Sequence, residues 1–135
     1  MSDTTERPAT TTSPYQRIGG EAGLHRLVDA FYRIMDTDLR AAEIRAMHGP
    51  DLNRVNQGVF EWLSGWLGGP PIYIARKGTP CLTSPHRAYA IGETARDQWM
   101  LCMRQALAEV EMDPTLRAPL EQAFERLAGM VQNRR

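Results

Sequence analysis

His86 lies in the polar, turn-rich stretch Thr83-Ser84-Pro85-His86-Arg87-Ala88-Tyr89, with helical patterns on both sides of it. A histidine on a short irregular segment between apolar helices can present one ring nitrogen to a pocket while the other hydrogen-bonds backbone. That is the posture of a metal ligand. Two other residues carry hydrogen-bonding chemistry on apolar bodies. Tyr32 falls in phase with Phe31 and Met35, and a buried phenol usually finds a partner for its hydroxyl. The indole N–H of Trp99 can only donate. Each also has a plainer reading, as a solvated loop histidine or as aromatic core with a polar tip. His25, His48 and His86 show no close ligand spacing and no paired carboxylates accompany them, so a metal centre built wholly from side chains has little support.

The elements that must position these residues are helical. From Leu24 the apolar positions recur as Leu27, Val28, Phe31, Tyr32, Ile34 and Met35, the three-and-four spacing of a helix that buries one face. A second pattern follows Gly49-Pro50-Asp51, where Asp51 or Asn53 can cap, and runs through Leu52, Val55, Val59, Phe60, Trp62, Leu63, Trp66 and Leu67. Gly68-Gly69-Pro70-Pro71 ends it. Between Ile72 and Ile91 the pattern is broken by Gly78, Pro80 and Pro85, which predicts turns with one or two helical turns near Tyr73 to Lys77 and before His86. Thr94-Ala95-Arg96-Asp97 reads as a capping box with Asp for Glu, and the helix behind it buries Trp99, Met103, Ala106, Leu107 and Val110. After Asp113-Pro114 a last helix carries Leu116, Leu120, Phe124, Leu127, Met130 and Val131, with Pro119 tolerable only near its first turn. Four substantial helices, two before the irregular segment and two after it, predict an all-α fold in which one pair packs across the other.

A chain of 135 residues has the size of one domain. Residues 1–14, MSDTTERPATTTSP, offer almost nothing apolar to offset the entropy of ordering; they are expected to form a disordered tail ahead of a folded domain at 15–135. Sixteen basic and sixteen acidic residues cancel without forming runs, which argues against nucleic acid or an anionic membrane as partner. Cys81 and Cys102 lack CxxC spacing and read as a loop thiol and a buried helical thiol, with no disulfide framework. With no apolar leader and no long apolar run, a cytoplasmic protein is expected.

From about Tyr15 to Met130 the chain resembles the group II truncated haemoglobins. The resemblance is carried by Tyr15-Gln16-Arg17-Ile18-Gly19-Gly20, by Phe31-Tyr32, by Leu63-Ser64-Gly65-Trp66-Leu67-Gly68-Gly69-Pro70, by His86, and by Ile91-Gly92 through Ala95-Arg96-Asp97-Gln98-Trp99 to Leu101-Cys102-Met103. It implies a globin-like two-over-two helical sandwich around haem b, with His86 as the proximal iron ligand. It also implies diatomic ligands (dioxygen, nitric oxide, carbon monoxide) or peroxide, steadied by Tyr32 and Trp99. Val55, Val59, Leu63, Ile91 and Met103 are expected as apolar walls, with ordinary core packing as the alternative. Tyr89, in the loop beyond His86, is expected to touch the same cofactor.

A third distal position falls at Met47 or His48, of which only His48 can donate, and Val55 takes the gate position that a distal histidine holds in ordinary globins. Where relatives carry two arginines toward the haem propionates, this chain has Thr83 and Pro85. Tyr73, Arg76, Lys77 and Arg87 remain as anchors, and weaker haem retention is expected. Oxygen so held suits capture, or redox chemistry with nitric oxide or peroxide, better than delivery. An enzymatic role would need an outside electron donor, because Gly19-Gly20 and Gly68-Gly69 lack the phosphate-binding fingerprint of a flavin or nicotinamide site. Monomer and homodimer are both compatible with this reading. The competing class is a cofactor-free helical interaction module.

Overall fold

The computed structural model describes residues 12–79, 81 and 83–134; residues 1–11, the bulk of the expected tail, lie outside that range. The helices are Pro14–Arg17 (α1), Gly20–Thr37 (α2), Ala42–Ala46 (α3, entered through a 3-10 turn at Leu39–Ala41), Asn53–Trp66 (α4), Ile72–Lys77 (α5), Thr83–His86 (α6), Glu93–Glu109 (α7) and Pro114–Val131 (α8). No strand occurs among the described residues. No described helix is long and apolar enough to cross a membrane.

The four long helices form the expected two-over-two sandwich: α2 packs on α4 and most extensively on α7, and α7 packs on α8. The core sits where their stripes meet. Leu24, Leu27, Val28, Phe31 and Met35 of α2 face Cys102, Met103, Ala106 and Leu107 of α7, with Leu116, Leu120 and Phe124 of α8 completing one cluster. Each large apolar side chain removed from water in this way contributes about 1.5 to 3 kcal/mol, far more than the differences in helix propensity between residues.

Two segments quoted for their resemblance meet in space. Ser13 caps α1 by accepting from the Gln16 N–H while Gln16 returns a bond to the Ser13 N–H, and the Tyr15 N–H donates to Leu67 O at 2.9 Å. The Tyr15 ring then lies on Gly69, where a β-carbon would come within 2.5 Å of it. Gly23 is equally constrained: a β-carbon there would stand 1.9 Å from the Ile18 carbonyl oxygen, so the close approach of α1 to α2 requires glycine.

Three details differ from the sequence expectation. The box at Thr94–Asp97 does not cap α7, which starts at Glu93 behind an extended Gly92 without any side-chain cap. Just upstream, the chain is held from elsewhere, since the Ile91 carbonyl accepts from the N–H groups of Asn133 and Arg134. Pro119 stands inside α8, beyond its first turn. Its ring displaces the bond that the Thr115 carbonyl would accept, and both residues are exposed, so water can take up that oxygen. The short helices α1 and α3 were not anticipated. Asp51 does act at the start of α4, accepting from the Asn53 N–H at 2.9 Å, although Leu52 is the N-cap residue.

Candidate functional site

Where α2, α4, α7 and α8 splay from one another, they enclose a cavity of about 500 Å³ that also reaches α3, α5 and α6. That volume lies within the range of about 300 to 1,000 Å³ typical of cofactor and small-molecule sites. His86, at the end of α6, lines it, as do Tyr32 of α2 and Trp99 of α7. Of the expected apolar walls, Val55, Val59, Leu63 and Ile91 line it, and so do Tyr73 and Tyr89. Met103 does not: it is fully buried one turn beyond Trp99 and belongs to the core between α2 and α7. Lys77 does not either, being exposed at the end of α5.

Phe31 sets the two aromatic donors. Its ring stands edge-on to Tyr32 at 4.8 Å and to Trp99 at 5.1 Å, so one core residue braces both. Burial pushes the Tyr32 phenol well above its ordinary pKa and keeps it a hydroxyl donor. Among the described residues neither the Tyr32 hydroxyl nor the Trp99 indole N–H has a hydrogen-bond partner, although both side chains line the cavity.

Met47 and His48 both face the cavity. The His48 ring is 6.0 Å from Tyr32, and its Nδ1 lies 2.8 Å from the Ile44 carbonyl oxygen. A carbonyl accepts, so Nδ1 carries the proton and neutral His48 offers a lone pair, not a donor, at Nε2. The turn is fixed from outside: the Arg45 guanidinium donates to Gly49 O at 2.9 Å and to Asp36 at 2.9 Å, and Gln98 of α7 accepts from the Ile44 N–H.

The expected anchors divide. Tyr73 lines the cavity, whereas Arg87 is exposed and does not. Arg76 is committed elsewhere, its Nε 2.9 Å from a Glu61 carboxylate that is only 8 % exposed and also accepts from Gln57 at 2.8 Å. The Gln57 bond first, and Arg76 second, hold the Glu61 carboxyl below its usual range. Arg76→Ala is therefore expected to cost about 1 to 2 kcal/mol in urea unfolding at neutral pH, between the values for exposed and buried pairs because the guanidinium is half exposed. The sign with pH follows from the lowered carboxyl. Its contribution is complete above the unfolded carboxyl range near about 4.3 and is lost as pH falls through the lower folded value. The gap between wild type and variant should thus narrow in acid.

Two basic residues not expected at the site, Arg54 and Arg96, line the cavity. Arg96 already donates to Asp97 and Gln132, each at 3.0 Å; Arg54 has no acidic partner among the described residues. The available signal was helical phase, since Arg96 stands three residues before Trp99, and Arg54, Gly58 and Trp62 form a second row on α4 beside Val55 and Val59. Leu127, Ala128 and Val131 of α8 supply a further wall.

The donor set itself limits what can be held. Among the described residues no group of three or more His, Cys, Asp or Glu side chains could bind a metal ion. A metal suited to the single imidazole of His86 must bring its remaining ligands with it, as a porphyrin does, and the largely apolar cavity fits such a group. Cys102 takes no part: burial, chiefly, pushes its thiol up to about 11, so it stays protonated, and Cys81 is exposed in a loop.

Comparison with known proteins agrees with this geometry. Residues 13–133 match the family described as bacterial-like globin. A cold-adapted truncated haemoglobin from the Antarctic bacterium Pseudoalteromonas haloplanktis TAC125 superposes with a TM-score of 0.89 at 42 % identity, over 92 % of this chain and 100 % of that one. A group II 2-on-2 haemoglobin from Agrobacterium tumefaciens gives 0.89 at 39 %, over 93 % and 97 %. The group 2 truncated haemoglobin YjbI of Bacillus subtilis is 32 % identical over 106 residues, 78 % of this chain and 76 % of its own length. With its two-over-two helices, its cavity histidine and these relatives, the chain belongs to the bacterial-like globins, among the group II truncated haemoglobins.

Proposed function

We propose that the cavity binds haem b through the imidazole of His86 and serves to hold a small diatomic ligand, dioxygen foremost. The observation that carries this reading is that one largely apolar cavity brings together the histidine of α6 and two donors, Tyr32 and Trp99, that lack partners among the described residues. When bound, haem would supply an iron that takes dioxygen, nitric oxide or carbon monoxide. Everything else falls to the protein. His86 presents a ring nitrogen, and the Val55, Val59 and Leu63 walls keep water out. The Tyr32 hydroxyl and Trp99 N–H donate to the ligand, each worth about 1 to 3 kcal/mol. Arg54 and Tyr73, which line the cavity, would meet the cofactor's carboxylates in place of the missing arginines. Val55 sets access by size.

Such firm retention fits capture, or redox chemistry with nitric oxide or peroxide supplied with electrons by a separate donor, better than bulk delivery. The test is absorbance of the full chain titrated with hemin. A one-to-one Soret band that shifts on reduction and again with oxygen or carbon monoxide is expected. A chain that stays colourless would overturn the proposal and favour the cofactor-free helical module.

A further inference from the structure

The single-turn helix α6 carries His86 but is too short to hold its own shape in water. What holds the segment lies more than forty residues away. The Asn133 side chain accepts from the Ile91 N–H at 2.8 Å through Oδ1 and donates from Nδ2 to Tyr89 O at 2.9 Å, with a longer contact of 3.4 Å to His86 O. Its own N–H donates to Ile91 O at 2.8 Å, and the next N–H, of Arg134, shares that oxygen at 3.0 Å. Asn133, two residues beyond the end of α8, thus ties down the carbonyl of the histidine, the loop that follows it, and Ile91, which precedes the Gly92 N-cap of α7. Its neighbour Gln132 is bonded differently, accepting from Arg96 at 3.0 Å.

We propose that Asn133 is a positioning residue for His86, fixing how the imidazole stands at the edge of the cavity. Resting on the haem reading above, this assigns Asn133 a role through the histidine and not on the ligand. The amide suits the task because it accepts and donates at once, as the opposed Ile91 N–H and Tyr89 carbonyl require. Aspartate keeps the acceptor, loses the donor and sets a charge against a carbonyl. Alanine loses both.

The experiment uses the full, haem-loaded chain as wild type, Asn133→Ala, Asn133→Asp and Gln132→Ala. The iron–histidine stretching band of the reduced, unliganded protein is read by resonance Raman, and haem loss is timed with an excess of acceptor protein. Asn133→Ala and Asn133→Asp should shift and broaden the band and speed haem loss about three- to tenfold, a modest factor because the residue is exposed and water competes for its bonds. Gln132→Ala should leave the band in place, which separates positioning from general fraying of the chain end. A wild-type band and loss rate in Asn133→Asp, or an equal shift in Gln132→Ala, overturns the proposal even if the alanine variant fails to fold. A wild type that takes up no haem overturns the reading beneath it. Amide exchange at Ile91, measured without haem, then still reports whether Asn133 holds the segment, and exchange unchanged by Asn133→Ala sinks that too.

Discussion

Alanine at position 86 is expected to abolish the five-coordinate reduced spectrum and to speed haem loss by at least about a hundredfold, since deleting even a partner of a metal-bound histidine commonly costs ten- to a hundredfold. No other imidazole is placed to take over. His25 is stacked flat on Phe60 at 3.8 Å and does not line the cavity. His48 lines it, but its Nδ1 is committed to Ile44 and its ring stands beside Tyr32. Free imidazole added to His86→Ala should restore the five-coordinate spectrum in part, because the cavity walls are untouched. An unaltered iron–histidine band in the variant would show that the iron is held elsewhere.

The second large effect is on ligand release. Tyr32→Phe and Trp99→Leu should each raise the oxygen dissociation rate about ten- to a hundredfold, the kinetic equivalent of one lost hydrogen bond to a polarised ligand. Stopped-flow displacement of oxygen by carbon monoxide measures it. Because Phe31 braces both rings, the double variant should fall short of the product of the single effects. Stability supplies a second readout. The Tyr32 hydroxyl has no partner among the described residues, so Tyr32→Phe should not destabilise the haem-free chain, whereas a structural phenol would give a loss of about 1 kcal/mol or more. Unchanged oxygen release in both variants would remove these residues from the distal role.

Long amphipathic helices could be read from the sequence because three-and-four periodicity is imposed by burial over several turns. It therefore marked α2, α4, α7 and α8 and pointed to Val55, Val59 and Leu63 as apolar positions that line the cavity. Shorter elements carry no such period. The turn of α3 is held because Gln98 from a distant helix accepts its Ile44 N–H and Arg45 closes its far end, neither of which spacing reveals. The same limit explains Met103: an apolar stripe shows that a residue is buried, but not whether it faces the cavity or the neighbouring helix. Arg54 escaped notice for the converse reason, since a charged residue beside an apolar stripe looks like surface until the fold opens a cavity next to it.

The bonding of Asn133 and Arg134 to Ile91 bears on how the protein should be handled at the bench. An affinity tag or label joined close behind Arg134 would lie next to the backbone that steadies the histidine segment, and any tension or competing contact it introduced would be felt there.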